Sequence, residues 1–130
     1  METRDPVERT KQALRVWAGI RIGYGVVAIL APRLMFRLLR MEPHPDARGF
    51  NAFLGSRDIV VGAVALRAST TEQVRAAVDL NHGNEIVDSV VLAQEIRQGR
   101  GADPFNVVGV VFNAIGHATW LTARARLRGR

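Results

Sequence analysis

Proline and glycine cut this chain into apolar blocks that are too long for strands, and that feature constrains the fold most. The first block runs from Val16 to Ala31, broken only by Arg21, and stops where Pro32 biases the residue before it away from helix. Next comes PRLMFRLLRM, in which Arg33, Arg37 and Arg40 recur at helical spacing beside Leu34, Met35, Leu38 and Leu39. It is predicted to form a short amphipathic surface helix that ends at Glu42-Pro43-His44-Pro45. A second block extends from Phe50 to Leu66, and Ser69 or Thr70 is placed to cap the next helix. The third block, Glu72 to Arg97, closes at Gly99-Arg100-Gly101 and Asp103-Pro104, and the fourth spans Phe105 to Ala123. The expected fold is all-α: an up-down four-helix bundle forming one domain over 1–130, with a polar leader at 1–12 and a basic tail at 124–130.

Composition removes several functions. With no cysteine, the chain has no disulfide framework, thiolate nucleophile or iron–sulfur ligand set. The net charge of +6 comes from arginines and Lys11 that form no stripe interleaved with aromatic residues, so nucleic acid is not an expected partner. Those arginines stand at the ends of apolar segments, where they can snorkel from a bilayer. There is no P-loop, G-x-S-x-G or H-E-x-x-H, and Ser56, Ser69 and Ser89 belong to no recognisable triad order.

The third block poses the solvent question. Ala76, Leu80, Gly83, Ile86, Val87, Val90 and Val91 share one helical face, and Asn81, His82, Glu85, Asp88 and Ser89 share the other. A soluble bundle would wet the polar face, whereas a bundle in lipid would turn it inward. In the fourth block, Asn106, Asn113 and His117 form one narrow polar stripe on an otherwise apolar segment, which favours lipid. The first, second and fourth blocks approach the roughly 20 apolar residues that a span requires. Gly19-Ile-Arg-Ile-Gly23 supplies a small-xxx-small spacing for close helix contact. The distribution of arginines points to a multi-pass protein of the cell membrane with both termini in the cytoplasm. Mean hydropathy of only +0.04 is the counterweight, and it keeps a soluble bundle open, dimerising through its apolar faces.

Two segments carry a family resemblance. Arg57-Asp58-Ile59-Val60-Val61-Gly62 in the second block and Glu85-Ile86-Val87-Asp88-Ser89 in the third resemble the small bacterial four-helix membrane proteins related to the DoxX-like group, over about residues 20–121. The resemblance implies a four-helix membrane bundle and carries over no catalytic residue. The chain departs from that group in crowding Asp79, Asn81, His82, Asn84 and Glu85 on its third helix.

Ionisable groups on apolar helices are costly unless paired, so they mark either a site or a register device. Arg57 and Asp58 project about 100° apart on a helix and are expected to find partners on other helices, not each other. The matches are Arg57 or Arg21 with Glu85 or Asp88, and Asp58 with Arg21 or His117. His82, Glu85 and His117 could supply three zinc ligands, but the paired Glu-x-x-His motifs of di-iron bundles are absent, and no metal or cofactor is expected. The leading reading is a polar-lined interior that binds a lipophilic small molecule or a membrane partner, with Arg21, Tyr24, Arg57, Asn113 and His117 as its lining. In the enzyme alternative, Glu85, Asp88 or Asp58 acts as acid or base on a hydrophobic substrate, assisted by His82 or His117, in an isomerisation, cyclisation or epoxide opening.

Overall fold

A computed structural model describes residues 5–41 and 44–128, which form five helices and, among these residues, no strand. They are α1 (Pro6–Leu30), α2 (Pro32–Leu38), α3 (Pro45–Arg67), α4 (Thr71–Arg97) and α5 (Pro104–Leu127).

Local chemistry sets the boundaries. Asp5 accepts from the Val7 backbone N–H and Pro6 opens α1, so the helix begins inside the stretch read as a polar leader. Burial of Val7 and Thr10 ties that first turn to the core; Met1–Arg4 lie outside the described residues. The amphipathic helix is present as α2, with Met35 and Phe36 turned inward. Of its expected terminator, Glu42 and Pro43 fall outside the described residues, and Pro45 already opens α3, five residues before the apolar block at Phe50.

Thr70 and Gln73 form a reciprocal capping box at the start of α4. At its end Gly99 adopts φ 78°, with the Arg100 N–H on the Glu95 carbonyl and the Gly99 N–H on the Ile96 carbonyl, a Schellman closure that requires a left-handed residue. α5 runs on to Leu127, so Arg124 and Arg126 of the basic segment are helical; Gly129 and Arg130 are not among the described residues. Burial of Ala123 and Leu127 explains the extension.

Successive long helices run antiparallel. α1 and α3 approach most closely at Gly25, where a β-carbon would lie 2.3 Å from the Gly55 carbonyl oxygen. The expected Gly19/Gly23 contact does not form, because both positions face open space. The small-residue seam sits instead at Ala18, Gly25 and Ala28 on α1 and at Gly55 and Gly62 on α3. At the end holding the N-terminal half of α1, an apolar core gathers Leu14, Trp17, Val74, Val78, Trp120 and Leu127. The Trp17 and Trp120 rings pack there with centroids 5.8 Å apart and planes tilted by 51°, which joins α1 to α5.

Two of these helices, α1 and α3, are long and apolar enough to cross a membrane by length and composition. The fourth block, α5, was expected beside them but falls short, because Asn106, Asn113 and His117 interrupt it.

Candidate functional site: a buried polar layer

The polar face of α4 points inward. Asn81, His82 and Glu85 are buried, and Asp88 and Ser89 are half-buried. The opposite face is exposed at every position named for it, from Ala76 through Leu80, Gly83 and Ile86 to Val91, and Val87 and Val90 are each 57% exposed. α5 behaves alike: Asn106, Asn113 and His117 are buried or half-buried, while Val107, Val111, Phe112 and Ile115 are exposed.

Arg21, at 6% exposure, is the hub. Its Nη1 donates to Asp58 Oδ1 at 2.8 Å, its Nη2 to Glu85 Oε1 at 2.7 Å and its Nε to Asn81 Oδ1 at 3.0 Å, so one side chain of α1 binds α3 and α4 together. A charged pair removed from water needs this complete satisfaction to offset its desolvation. Arg57 holds Asp88 through two bonds, Nη1 to Oδ1 at 2.6 Å and Nη2 to Oδ2 at 3.1 Å, the bidentate geometry that favours arginine over lysine. Both matches are among those the sequence leads one to expect. One expectation is corrected: Arg57 Nη2 also reaches back to Asp58 Oδ1 at 3.2 Å. The two side chains start out on different faces, but Asp58 is pinned by Arg21 and the long guanidinium stem curls around to it. Asp58 thus pairs with the two arginines, whereas His117, its other expected partner, meets Ser89.

A second branch runs from Glu85 into α5. Asn113 Nδ2 donates to Glu85 Oε2 at 3.0 Å and to the Glu85 carbonyl at 2.8 Å. Ser89 Oγ lies 2.8 Å from Asn113 Oδ1, 2.8 Å from the Glu85 carbonyl and 2.9 Å from His117 Nε2. A hydroxyl has one proton, so three contacts close best if His117 Nε2 carries hydrogen and donates to Ser89. The His82 and His117 rings meet edge to face at 5.3 Å. Gly116 makes room for the carboxylate, since a β-carbon there would sit 2.5 Å from Glu85 Cδ. Among the described residues no group of three or more His, Asp or Glu side chains converges as a metal site.

Tyr24 donates to Asn51 Oδ1 and lies within electrostatic reach of Arg57, Asp58 and Asp88. Every residue expected at the site therefore belongs to, or borders, one layer. Asn51 is not marked in the sequence at all, while Asn81 and Ser89 stand out only as members of the polar face of α4 and Asn84 only in the crowd of polar residues there, with no role of their own, because short polar side chains give no charge signal. The layer keeps unused capacity: Asn51 Nδ2, Arg57 Nε, Asn84 Nδ2 and His82 Nδ1 are buried without a protein hydrogen-bond partner. Outside the layer, at the α4–α5 turn, donation to Glu95 raises the pKa of the Arg100 guanidinium above its ordinary value. No protein family matches the chain, and no curated protein or solved structure is similar to it, so its functional reading rests on this geometry.

Proposed function

We propose that the chain is a membrane-spanning four-helix bundle of DoxX-like pattern, with both termini cytoplasmic, which binds a lipophilic small molecule at the polar layer. The observation that carries this reading is the inverted C-terminal part of α4: Asn81, His82 and Glu85 are buried, while Ile86, Val87, Val90 and Val91 are exposed. A chain folding in water gains by burying that apolar face, whereas lipid gives no such gain and penalises exposed charge. The length and apolarity of α1 and α3 add support.

The ligand chemistry is set by the capacity the layer leaves unused. The amide and guanidinium atoms at Asn51, Arg57 and Asn84 are donors without acceptors, so a guest bearing carbonyl or ether oxygens on an apolar frame is the complement. Two experiments test the reading. The untagged chain is expected to stay in the membrane pellet through a high-pH carbonate wash; release into the supernatant would favour the soluble dimer. Organic extracts of detergent-purified protein, analysed by mass spectrometry, should contain an oxygen-bearing lipophile that is depleted from Asn84→Leu. That variant removes a donor the fold does not use, so equal extracts would count against binding.

Acid–base catalysis is the second reading, and the charge balance favours it. Asp58, Glu85 and Asp88 share two guanidinium groups, which leaves one carboxylate charge over that a transferable proton would neutralise. If Glu85→Gln and Asp88→Asn fold but lose turnover of a hydrophobic substrate, catalysis gains; if both fail to fold, the carboxylates are structural.

A further inference from the structure

At the end of the molecule where α1 begins and α5 finishes, a groove of about 390 Å³ lies between these two helices. Its lining changes character along its length. Arg9 and Arg126 stand at one end with Gln12 beside them, and because the helices are antiparallel, Ala13, Val16, Trp17 and Thr119 come next toward the middle of the molecule. Val16 is 57% exposed and begins the apolar exterior that continues through Ile20.

The two arginines are uncompensated. Neither makes an ion pair or side-chain hydrogen bond with any described residue, and both are exposed. Arg9 also lies in the first turn of α1, where the helix dipole disfavours a cation. The neighbouring groove between α4 and α5 differs: there Arg124 pairs with Asp79 at 2.6 Å, and Arg75 donates to the Leu127 carbonyl at 3.1 Å. Two unpaired like charges at one end of an apolar trough fit an anion that carries a hydrocarbon chain.

We infer that the Arg9–Arg126 groove binds an anionic phospholipid, its phosphate between the two guanidinium groups and an acyl chain along Ala13, Val16 and Trp17. The inference rests on the membrane reading above, in which this end lies at the headgroup level. Arginine is suited to the task because its planar fork matches phosphate oxygens.

Trp17 lines the groove and serves as the reporter. Detergent-purified chain is titrated with phosphatidylglycerol whose acyl chains are brominated, or with phosphatidylcholine bearing the same chains, and tryptophan quenching is read. The glycerol lipid should quench several-fold more strongly than the choline lipid. The Arg9→Gln/Arg126→Gln variant should lose that excess while still surviving the carbonate wash, because the buried layer is untouched. Equal quenching by both lipids, or an excess retained by the double variant, would overturn the assignment. So would removal of the excess by inorganic phosphate at the lipid's concentration, which would make the groove a free-phosphate site. Failure of the wash with the quenching excess intact would sink the spanning reading alone.

Discussion

N-terminal to Arg21 on α1, the helices meet through Leu14, Trp17, Val74, Val78 and Trp120; from Arg21 onward, beside the Gly25–Gly55 crossing, they meet through Asp58, Asn81, Glu85 and Asn113. The two regions bury comparable side chains on opposite terms. An apolar contact is non-directional, so the first region asks only for volume and tolerates rearrangement. A buried charge is held by named atoms at fixed distances, and losing one partner strands the others. Helix register is therefore fixed by the polar layer, while the apolar end supplies adhesion.

The largest effect is expected from Arg21→Ala, which leaves Glu85 without its guanidinium and Asp58 with only the 3.2 Å contact to Arg57. A loss of about 3–5 kcal/mol in detergent-monitored unfolding is expected, and a loss under about 1 kcal/mol would remove the distinction between the regions. Leu14→Ala, in the apolar end, should cost about 2–4 kcal/mol as a cavity, with the polar layer's response to Asp88→Asn unchanged because the sites are independent. Coupling between those two substitutions in a double-mutant cycle would show that the regions act as one.

The helix crossing gives a sharper contrast. Gly25→Ala drives a β-carbon against the Gly55 carbonyl and should cost about 1–3 kcal/mol, whereas Gly19→Ala meets open space and should gain up to about 1 kcal/mol of helix propensity. Thermal unfolding of the two variants side by side decides it; equal behaviour would move the seam back to the sequence motif. The smallest effect is expected at Arg124→Gln, because the Arg124–Asp79 pair is 38% and 60% exposed. It should change stability by under about 1 kcal/mol and less still at high salt, in contrast to Arg21.

Much of this was legible in the chain. Pro32, Pro45, Thr70, Gly99 and Pro104 mark helix ends because their backbone chemistry acts within a few residues. The inward turn of α4 could be posed as a question from helical periodicity alone, and the arginine–carboxylate matches came from cost: an unpaired charge on an apolar helix needs a partner. Less visible were Asn81 and Ser89, which resemble any polar residue until a guanidinium or an imidazole stands opposite. The helical state of 6–12 and 124–127 is not legible in their polar and basic composition, because it depends on what Val7, Thr10, Ala123 and Leu127 pack against.

By itself, the sequence determined the helical class, the helix boundaries at Pro32, Thr70, Gly99 and Pro104, the two faces of α4 and the set of charges that had to be satisfied, all of them properties of spacing along the chain. Only the tertiary structure decided that the polar face is the buried one, that Gly25 and Gly55 rather than Gly19 and Gly23 carry the close crossing, and that Asp58 serves two arginines at once. Those outcomes depend on which helix lies opposite and at what rotation, and that is set by packing between segments distant in sequence, not by any local preference.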